Sequence, residues 1–208
     1  MLVVDDADAD GQVAMVEYAT NWTDSTAAEF QKYDLDGDGC ADVAYKGTDA
    51  DPRDADGVVN EGKEYVVVLN GRTGKEISRA EFPNRDGFGS AGRPGDVAAR
   101  NQLAIAYLDG KTPCLLVARG TYGTMVLTAY QYHDGKRQEL WTWRNTEETG
   151  GNWRGQGAHW MHSGDVDDDG RDEVILGSCV IDDDGKGLWT TGLGHPDRCF
   201  LTDVDPSR

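Results

Sequence analysis

Asp34-Leu-Asp-Gly-Asp-Gly-Cys-Ala-Asp42 runs straight into Val43-Ala-Tyr-Lys46, and Asp165-Val-Asp-Asp-Asp-Gly-Arg-Asp-Glu173 runs straight into Val174-Ile-Leu176. Both stretches follow one pattern, D-x-D-x-D-G-x-x-[D/E], with an apolar strand behind it. Carboxylates at the first, third and fifth places of a tight loop converge on one point. The glycine at the sixth place (Gly39, Gly170) lets the chain reverse, a backbone carbonyl at the seventh (Cys40, Arg171) adds an oxygen, and an acid at the ninth closes the shell. Such a loop fits a hard cation that takes six to eight oxygens at ~2.3–2.6 Å. The expected Ca2+ ligands are therefore Asp34, Asp36, Asp38, the Cys40 carbonyl and Asp42, then Asp165, Asp167, Asp169, the Arg171 carbonyl and Glu173. These loops differ from EF-hands, which need a bidentate Glu at the twelfth place; Tyr45 and Leu176 stand there. Acidic, glycine-containing turns also occur without metal, but two full copies with the ninth ligand favour the ion.

Outward from the loops, the chain is built of short apolar runs punctuated by 27 glycines. After the first loop come strands at Asp42–Lys46, Glu64–Leu69 and Lys75–Phe82, the last two joined by the turn Asn70-Gly-Arg-Thr-Gly74. A second pass gives Leu103–Tyr107, the turn Asp109-Gly110, Cys114–Ala118, Val126–Tyr132, the turn Asp134-Gly135 and Leu140–Trp143. The third opens on the second acidic loop and gives Glu173–Gly177, Ser178–Ile181, the turn Asp184-Gly185 and Leu188-Trp189. Asn-Gly and Asp-Gly between apolar runs are hairpin signals. Units of roughly 40–60 residues, each a small antiparallel sheet, predict an all-β chain built of β-propeller blades. About three complete blades are expected, with partial ones at both ends, fewer than the ~4–8 needed to close a propeller. The expected division is a divergent partial blade over 1–30, a blade with the first calcium loop over 31–95, a blade over 96–150, a blade with the second calcium loop over 151–200, and the start of a truncated blade over 201–208. Asp6-Ala-Asp-Ala-Asp10-Gly11 is a decayed echo of the loop, and Asp203 and Asp205 begin another. The chain is thus expected to be part of a longer protein, with further blades outside it.

Charge excludes some partners. Lys plus Arg number 20 against 38 Asp plus Glu, for a net −18, and much of the excess lies in the loops. No Lys/Arg stripe exists to displace counterions, so nucleic acid is not an expected ligand. The apolar runs are too short to span a membrane. Met1-Leu-Val-Val runs into Asp5-Asp6 without a basic segment, so no signal peptide is expected within the chain. Calcium loops of this kind suit an extracellular or periplasmic setting, reached by a signal outside these residues. The four cysteines show no C-x-x-C pairing that would support zinc; Cys114 and Cys179 are expected as buried thiols, with a disulfide left open.

In order along the chain, Tyr33-Asp-Leu-Asp-Gly-Asp-Gly39, Leu69-Asn-Gly-Arg-Thr-Gly-Lys75, Ala106-Tyr-Leu-Asp-Gly110 and Ala118-Arg-Gly-Thr-Tyr122 resemble segments of the β-propeller rhamnogalacturonan lyases. So do Gly155-Gln-Gly-Ala-His159, the second acidic loop, Asp182-Asp-Asp-Gly185, Gly187-Leu-Trp-Thr-Thr-Gly-Leu-Gly-His195 and Asp203-Val-Asp-Pro206. The calcium loops alone occur in many propellers; the other strings are specific in combination. The resemblance covers roughly residues 30–208 and implies a secreted, calcium-rich, eight-bladed propeller. It implies cleavage of the rhamnose–galacturonate backbone of rhamnogalacturonan I, an acidic plant cell-wall polysaccharide, by calcium-assisted β-elimination, with calcium and Arg suited to neutralising the uronate carboxylate. Two stretches depart from the family: Ser25-Thr-Ala-Ala-Glu-Phe30 lacks a histidine expected there, and Pro196-Asp-Arg-Cys-Phe200 lacks a second.

Four residues are candidate substrate contacts. Arg119, after an apolar strand, would bind a uronate carboxylate or pair with an acidic loop. His159 would bind sugar or hold a calcium site in shape, and His195, with Asp197 nearby, would face the cleft. Tyr122 would stack on sugar. Trp141 and Trp189 are expected to fill space between sheets; Trp153 and Trp160, in the glycine-rich stretch, are the better candidates for sugar contact among the tryptophans. No catalytic base is identified. The other reading is a non-catalytic, calcium-stabilised module that binds glycan or protein.

Overall fold

Hairpin turns between short apolar runs leave the chain little choice but antiparallel sheets. The structure is a computed structural model describing residues 2–4, 14–16, 30–47, 55, 62–88, 100–133 and 136–203. Among these residues there is no helix. β1 (Leu2–Val4) pairs with β2 (Ala14–Val16). Three four-stranded sheets follow, each a meander in chain order. The first holds β3 (Phe30–Tyr33), β4 (Asp42–Gly47), β5 (Tyr65–Leu69) and β6 (Glu76–Glu81). The second holds β7 (Asn101–Ala106), β8 (Cys114–Arg119), β9 (Val126–His133) and β10 (Lys136–Arg144). The third holds β11 (Gly157–Gly164), β12 (Glu173–Gly177), β13 (Cys179–Ile181) and β14 (Gly187–Thr190). Each acidic loop is thus the β-hairpin connection between the first two strands of its sheet, and the short turn after Tyr107 takes that place in the second.

Period-two alternation explains the stacking. In β8, Leu115 and Val117 pack with Val66, Val68 and Phe82 of the first sheet, while Cys114, Leu116 and Ala118 pack with Val174, Leu176 and Ile181 of the third. Every residue of β8 is buried. The second sheet therefore has no wet face along this strand, which is why its sequence is continuously apolar. Cys114 and Cys179 are free, buried thiols, and burial pushes Cys179 up to about 12.

A buried ionic cluster joins the first two sheets. Glu64, just ahead of β5, receives the guanidinium of Arg119, the ammonium of Lys46 and, at 2.6 Å, Arg85. Arg119 also donates through Nε to the Pro83 carbonyl at 2.6 Å and lies over the Phe82 ring at 5.0 Å. Burial alone would raise the Glu64 carboxyl; the Arg85 hydrogen bond and the charges of Arg119 and Lys46 hold it at about 2 instead. Burial pulls Lys46 down to about 8, against the opposing charge of Glu64. Removing one carboxylate strands several buried cations, the costly way to break a buried ion pair.

Glu64→Gln is therefore expected to lower stability at neutral pH by about 3–5 kcal/mol in a urea titration. Because the Glu64 pKa is depressed on folding, its contribution is present above the ordinary carboxylate range and is lost as pH falls towards about 2. A variant as stable as the parent at pH 7 would refute this role.

Candidate functional site

Backbone geometry makes the two acidic loops superimposable in kind. The sixth-place glycines have φ of 88° at Gly39 and 87° at Gly170. The fourth place is also left-handed in both, with φ of 80° at Gly37 and 65° at Asp168, a conformation that Asp tolerates better than most residues. Gly39 and Gly170 donate to Asp34 Oδ2 at 3.0 Å and Asp165 Oδ2 at 2.9 Å. Cys40 and Arg171 donate to Asp38 Oδ1 at 2.8 Å and Asp169 Oδ1 at 2.9 Å. Leu35 and Val166 donate to the ninth-place acids, at 2.9 Å to Asp42 Oδ2 and 2.7 Å to Glu173 Oε2. These bonds turn the carboxylates inward.

Ligand oxygens of Asp34, Asp36 and Asp42 lie within 4.8 Å of one another, as do those of Asp165, Asp167 and Glu173. Asp42 and Glu173 are fully buried, and burial raises both carboxyls; at Glu173, Asp167, Asp169 and Asp165 push in the same direction. Glu173 Oε1 is buried and has no hydrogen-bond partner. A shell of hard oxygens with an uncompensated buried lone pair fits a divalent cation, and the donor set is that of calcium. Asp38 differs: the Asn70 side-chain amide lowers its carboxyl.

A second constellation gathers towards the opposite end of β11. The Tyr122 hydroxyl lies 3.0 Å from His159 Nε2. The His195 ring stands 4.6 Å from that of Tyr122 and 4.9 Å from that of His159, both edge-on. His195 Nδ1 lies 2.5 Å from the Gly157 carbonyl, so Nδ1 carries the proton and Nε2 faces Asp197 at 3.6 Å. Arg100 lies over the Tyr122 ring at 5.6 Å. One ligand atom each of His159, His195 and Asp197 lies within 4.8 Å of the others. Two imidazoles and a carboxylate could hold a metal; without one, the same groups offer a partly open surface of donors, acceptors and an aromatic ring.

Local packing sets this cluster. The register of β11 on β12 shifts between Gly157 and His162, so the His159 amide turns outward and donates to the Asp197 carbonyl at 3.2 Å. Gly177, at φ 114°, sits where a Cβ would collide with the Gln156 carbonyl and the Ala158 amide. Gln156 Oε1 accepts from the Gly194 amide at 3.0 Å, fixing the approach to His195. Tyr122 is placed by Thr121, whose hydroxyl reaches the Ala158 carbonyl at 3.4 Å, and by Gly155, whose amide donates to Gly123 at 3.1 Å.

Of the four expected substrate contacts, Tyr122, His159 and His195 come together and Arg119 does not. Arg119 has no exposed surface; the carboxylate it meets is Glu64 of its own chain. Trp153, a candidate for sugar contact, lies in the core with its ring 6.2 Å from Trp143. Trp189, expected between sheets, is about half exposed on the outer strand, and Trp160 is exposed. Asp203 is exposed, and Asp205, the Asp6–Asp10 echo and the Asp134-Gly135 turn lie outside the described residues. Arg100 carried no sequence signal, because its partner ring is 22 residues away in the chain and meets it only through the sheet.

Comparison with known proteins connects this architecture to others. The family model described as rhamnogalacturonan lyase family 11, C-terminal domain, matches residues 3–208. The chain is 42% identical over 196 residues to rhamnogalacturonan endolyase YesW of Bacillus subtilis (strain 168), covering 86% of this chain and 32% of that protein. It is 38% identical over 202 residues to rhamnogalacturonan exolyase YesX of the same organism, with the same coverage of 86% and 32%. The crystal structure of exotype rhamnogalacturonan lyase YesX aligns with a TM-score of 0.81 at 36% identity over 89% of this chain and 33% of that one. That of a Bacillus licheniformis rhamnogalacturonan lyase gives 0.81 at 37% identity over 88% and 34%. The chain spans about a third of the length of these curated relatives. With the family match running from residue 3 to residue 208, the chain belongs to rhamnogalacturonan lyase family 11, within its C-terminal domain.

Proposed function

We propose that the chain is a portion of a polysaccharide lyase that cleaves the rhamnose–galacturonate backbone of rhamnogalacturonan I by β-elimination. The observation that carries this reading is the family match over residues 3–208, with relatives named for rhamnogalacturonan lysis. The three stacked meanders are read as successive blades of a β-propeller whose remaining blades lie outside this chain. Its setting is extracellular or periplasmic, where the polysaccharide and calcium are both found.

β-Elimination needs positive charge on the uronate, a base for the C5 proton and a donor for the departing oxygen at C4. Calcium, when bound, would supply positive charge that the loop oxygens coordinate and neutralise. Asp34, Asp36, Asp38, the Cys40 carbonyl and Asp42 hold it at the first loop. Asp165, Asp167, Asp169, the Arg171 carbonyl and Glu173 hold it at the second, and Asp203 and Asp205 begin a third set. The second loop joins β11 to β12 while Tyr122, His159 and His195 gather at the other end of β11, so an ion there would hold the hairpin rather than meet the substrate at the cluster. Tyr122, His159 and His195 contact the sugar acid. Arg100, over the Tyr122 ring, brings positive charge beside them. The catalytic base is not assigned to these residues.

Three measurements test the reading. Chelation with EDTA is expected to lower the thermal midpoint of the chain by several degrees, with excess calcium restoring it, since ion binding to the folded loops is linked to folding; an identical melting curve counts against the loops as calcium sites. The parent enzyme carrying this domain should release unsaturated uronides, seen by ultraviolet absorbance, from rhamnogalacturonan I and not from homogalacturonan. Equal release from both rejects the substrate. Tyr122→Ala in that enzyme should weaken binding of rhamnogalacturonan oligosaccharides by roughly five- to tenfold without unfolding it; unchanged binding removes the cluster from the substrate surface.

A further inference from the structure

The two acidic loops share a backbone but not a neighbour. In the first sheet, the β5–β6 hairpin covers its loop with hydrogen-bond donors. Asn70 Nδ2 donates to Asp36 Oδ2 and Asp38 Oδ2, both at 3.0 Å, and the Gly71 amide donates to Asp42 Oδ1 at 3.1 Å. Together with Leu35 and Asp36, whose amides reach Asp42 Oδ2 at 2.9 and 3.1 Å, this leaves both oxygens of the ninth-place acid hydrogen-bonded. The first loop is thereby satisfied by the protein itself.

The third sheet reverses this. Asp182 stands at the hairpin position that Asn70 holds, each donating its amide across the turn, to Lys186 and Lys75 respectively, at 2.8 Å. The next residue is Asp183 where the first hairpin has Gly71, and its amide turns to Asp182 Oδ1 at 3.0 Å rather than to the loop. Glu173, fully buried, is left with Oε1 unpartnered. In place of a donor, the hairpin sends in another carboxylate: ligand oxygens of Asp169, Glu173 and Asp183 lie within 4.8 Å of one another. The Arg171 guanidinium bridges Asp169 and Asp183, at 2.7 Å to each. A buried orphan oxygen beside a carboxylate presented by a neighbouring hairpin lacks positive charge, and a single guanidinium at the rim does not reach Oε1.

We infer that Asp183, from the β13–β14 hairpin, is an additional ligand for a divalent cation at the second loop, and that this loop binds the ion more tightly than the first. The inference rests on the calcium reading of the two loops and extends it. Adding a carboxylate ligand and removing competing donors both raise affinity for a hard cation. The loop is also held on its far side: Tyr107 and Asp172 exchange hydrogen bonds at 2.8 and 3.1 Å, and the Asp109-Gly110 turn abuts Gly170 so closely that only glycine fits at 110. The cation shell is therefore clamped between two hairpins.

Terbium, a luminescent calcium mimic, separates the two loops. The Trp141 indole donates to the Asp183 carbonyl at 2.7 Å, so tryptophan-sensitised terbium emission arises at the second loop. Emission is titrated with terbium and then quenched by calcium competition, with total calcium binding followed by calorimetry on the same chain. The expected result is a tight, emissive site and a weaker one; Asp183→Asn, which keeps the hydrogen bond to Arg171, should lower calcium affinity at the emissive site on the order of tenfold while leaving the weaker site intact, which also shows that the fold is retained. Asp34→Asn should erase the weaker site and leave emission unchanged. Should Asp169→Asn abolish emission while Asp183→Asn leaves affinity unaltered, Asp183 is not a ligand and the inference falls, with the calcium reading intact. Absence of any terbium or calcium binding would overturn both.

Discussion

β8 is the constraint on which the other elements depend. Its six residues are all buried, and alternate side chains enter two different cores. A slip of one residue would exchange the sets and place Leu115 and Val117 where Leu116 and Ala118 belong, so register is specified from both faces at once. At its end, Arg119 is committed to Glu64 and the Pro83 carbonyl. Gly120 then turns at φ 90° in a space bounded by Phe88 and the Thr124 carbonyl. The path from core strand to Tyr122 is consequently fixed within three residues. Position at the candidate site is inherited from packing in the middle sheet.

The parts of the fold that were legible in the sequence are those whose information is local. Val66–Val68, Leu115–Val117 and Val174–Leu176 are apolar runs bounded by loop or turn residues, and each lies in a strand with the turns between them in place. β3 and β11 escaped notice because Gln31-Lys32 and His159-Trp-Met-His-Ser163 lack a continuous apolar run; each pairs with only one described strand. The members of the cluster stood out by residue type, with Tyr122 and His195 each next to a glycine and His159 two residues after Gly157. Their meeting did not, because it depends on a register shift in β11 that no local pattern announces. Arg119 shows the same limit from the other direction. A cation after an apolar strand looks the same whether it faces solvent or a carboxylate 55 residues earlier, and only the stacking of two sheets decides. Trp153 follows the rule: its glycine-rich flank suggests exposure, yet Asn145 holds its carbonyl at 3.1 Å and the ring turns into the core.

The net charge of −18 acquires a structural meaning from the same geometry. Acids are grouped where backbone amides of the loops turn them inward, and where hairpins approach with either donors or further acids. Repulsion among them is a local cost at the strand connections, kept away from the cores that align the sheets. The Lys46–Glu64–Arg85–Arg119 group is the exception, an ionic contact placed inside the stack. It ties two sheets at a point where apolar packing alone would leave the chain's exit from β8 unspecified.

β11 carries the acidic loop at one end and the histidine cluster at the other, and the hydrogen bonds that shape one end share no residue with those that shape the other. Such a strand makes the two ends separable under mutation. Changes confined to Gly194–Asp197 alter what His159 and Tyr122 present, while Cys199 and Leu201, against His162 and Gly164, keep the following segment seated along the strand. A strand divided in this way lets the residues at its histidine end change without disturbing the hydrogen bonds that turn the carboxylates of its acidic loop.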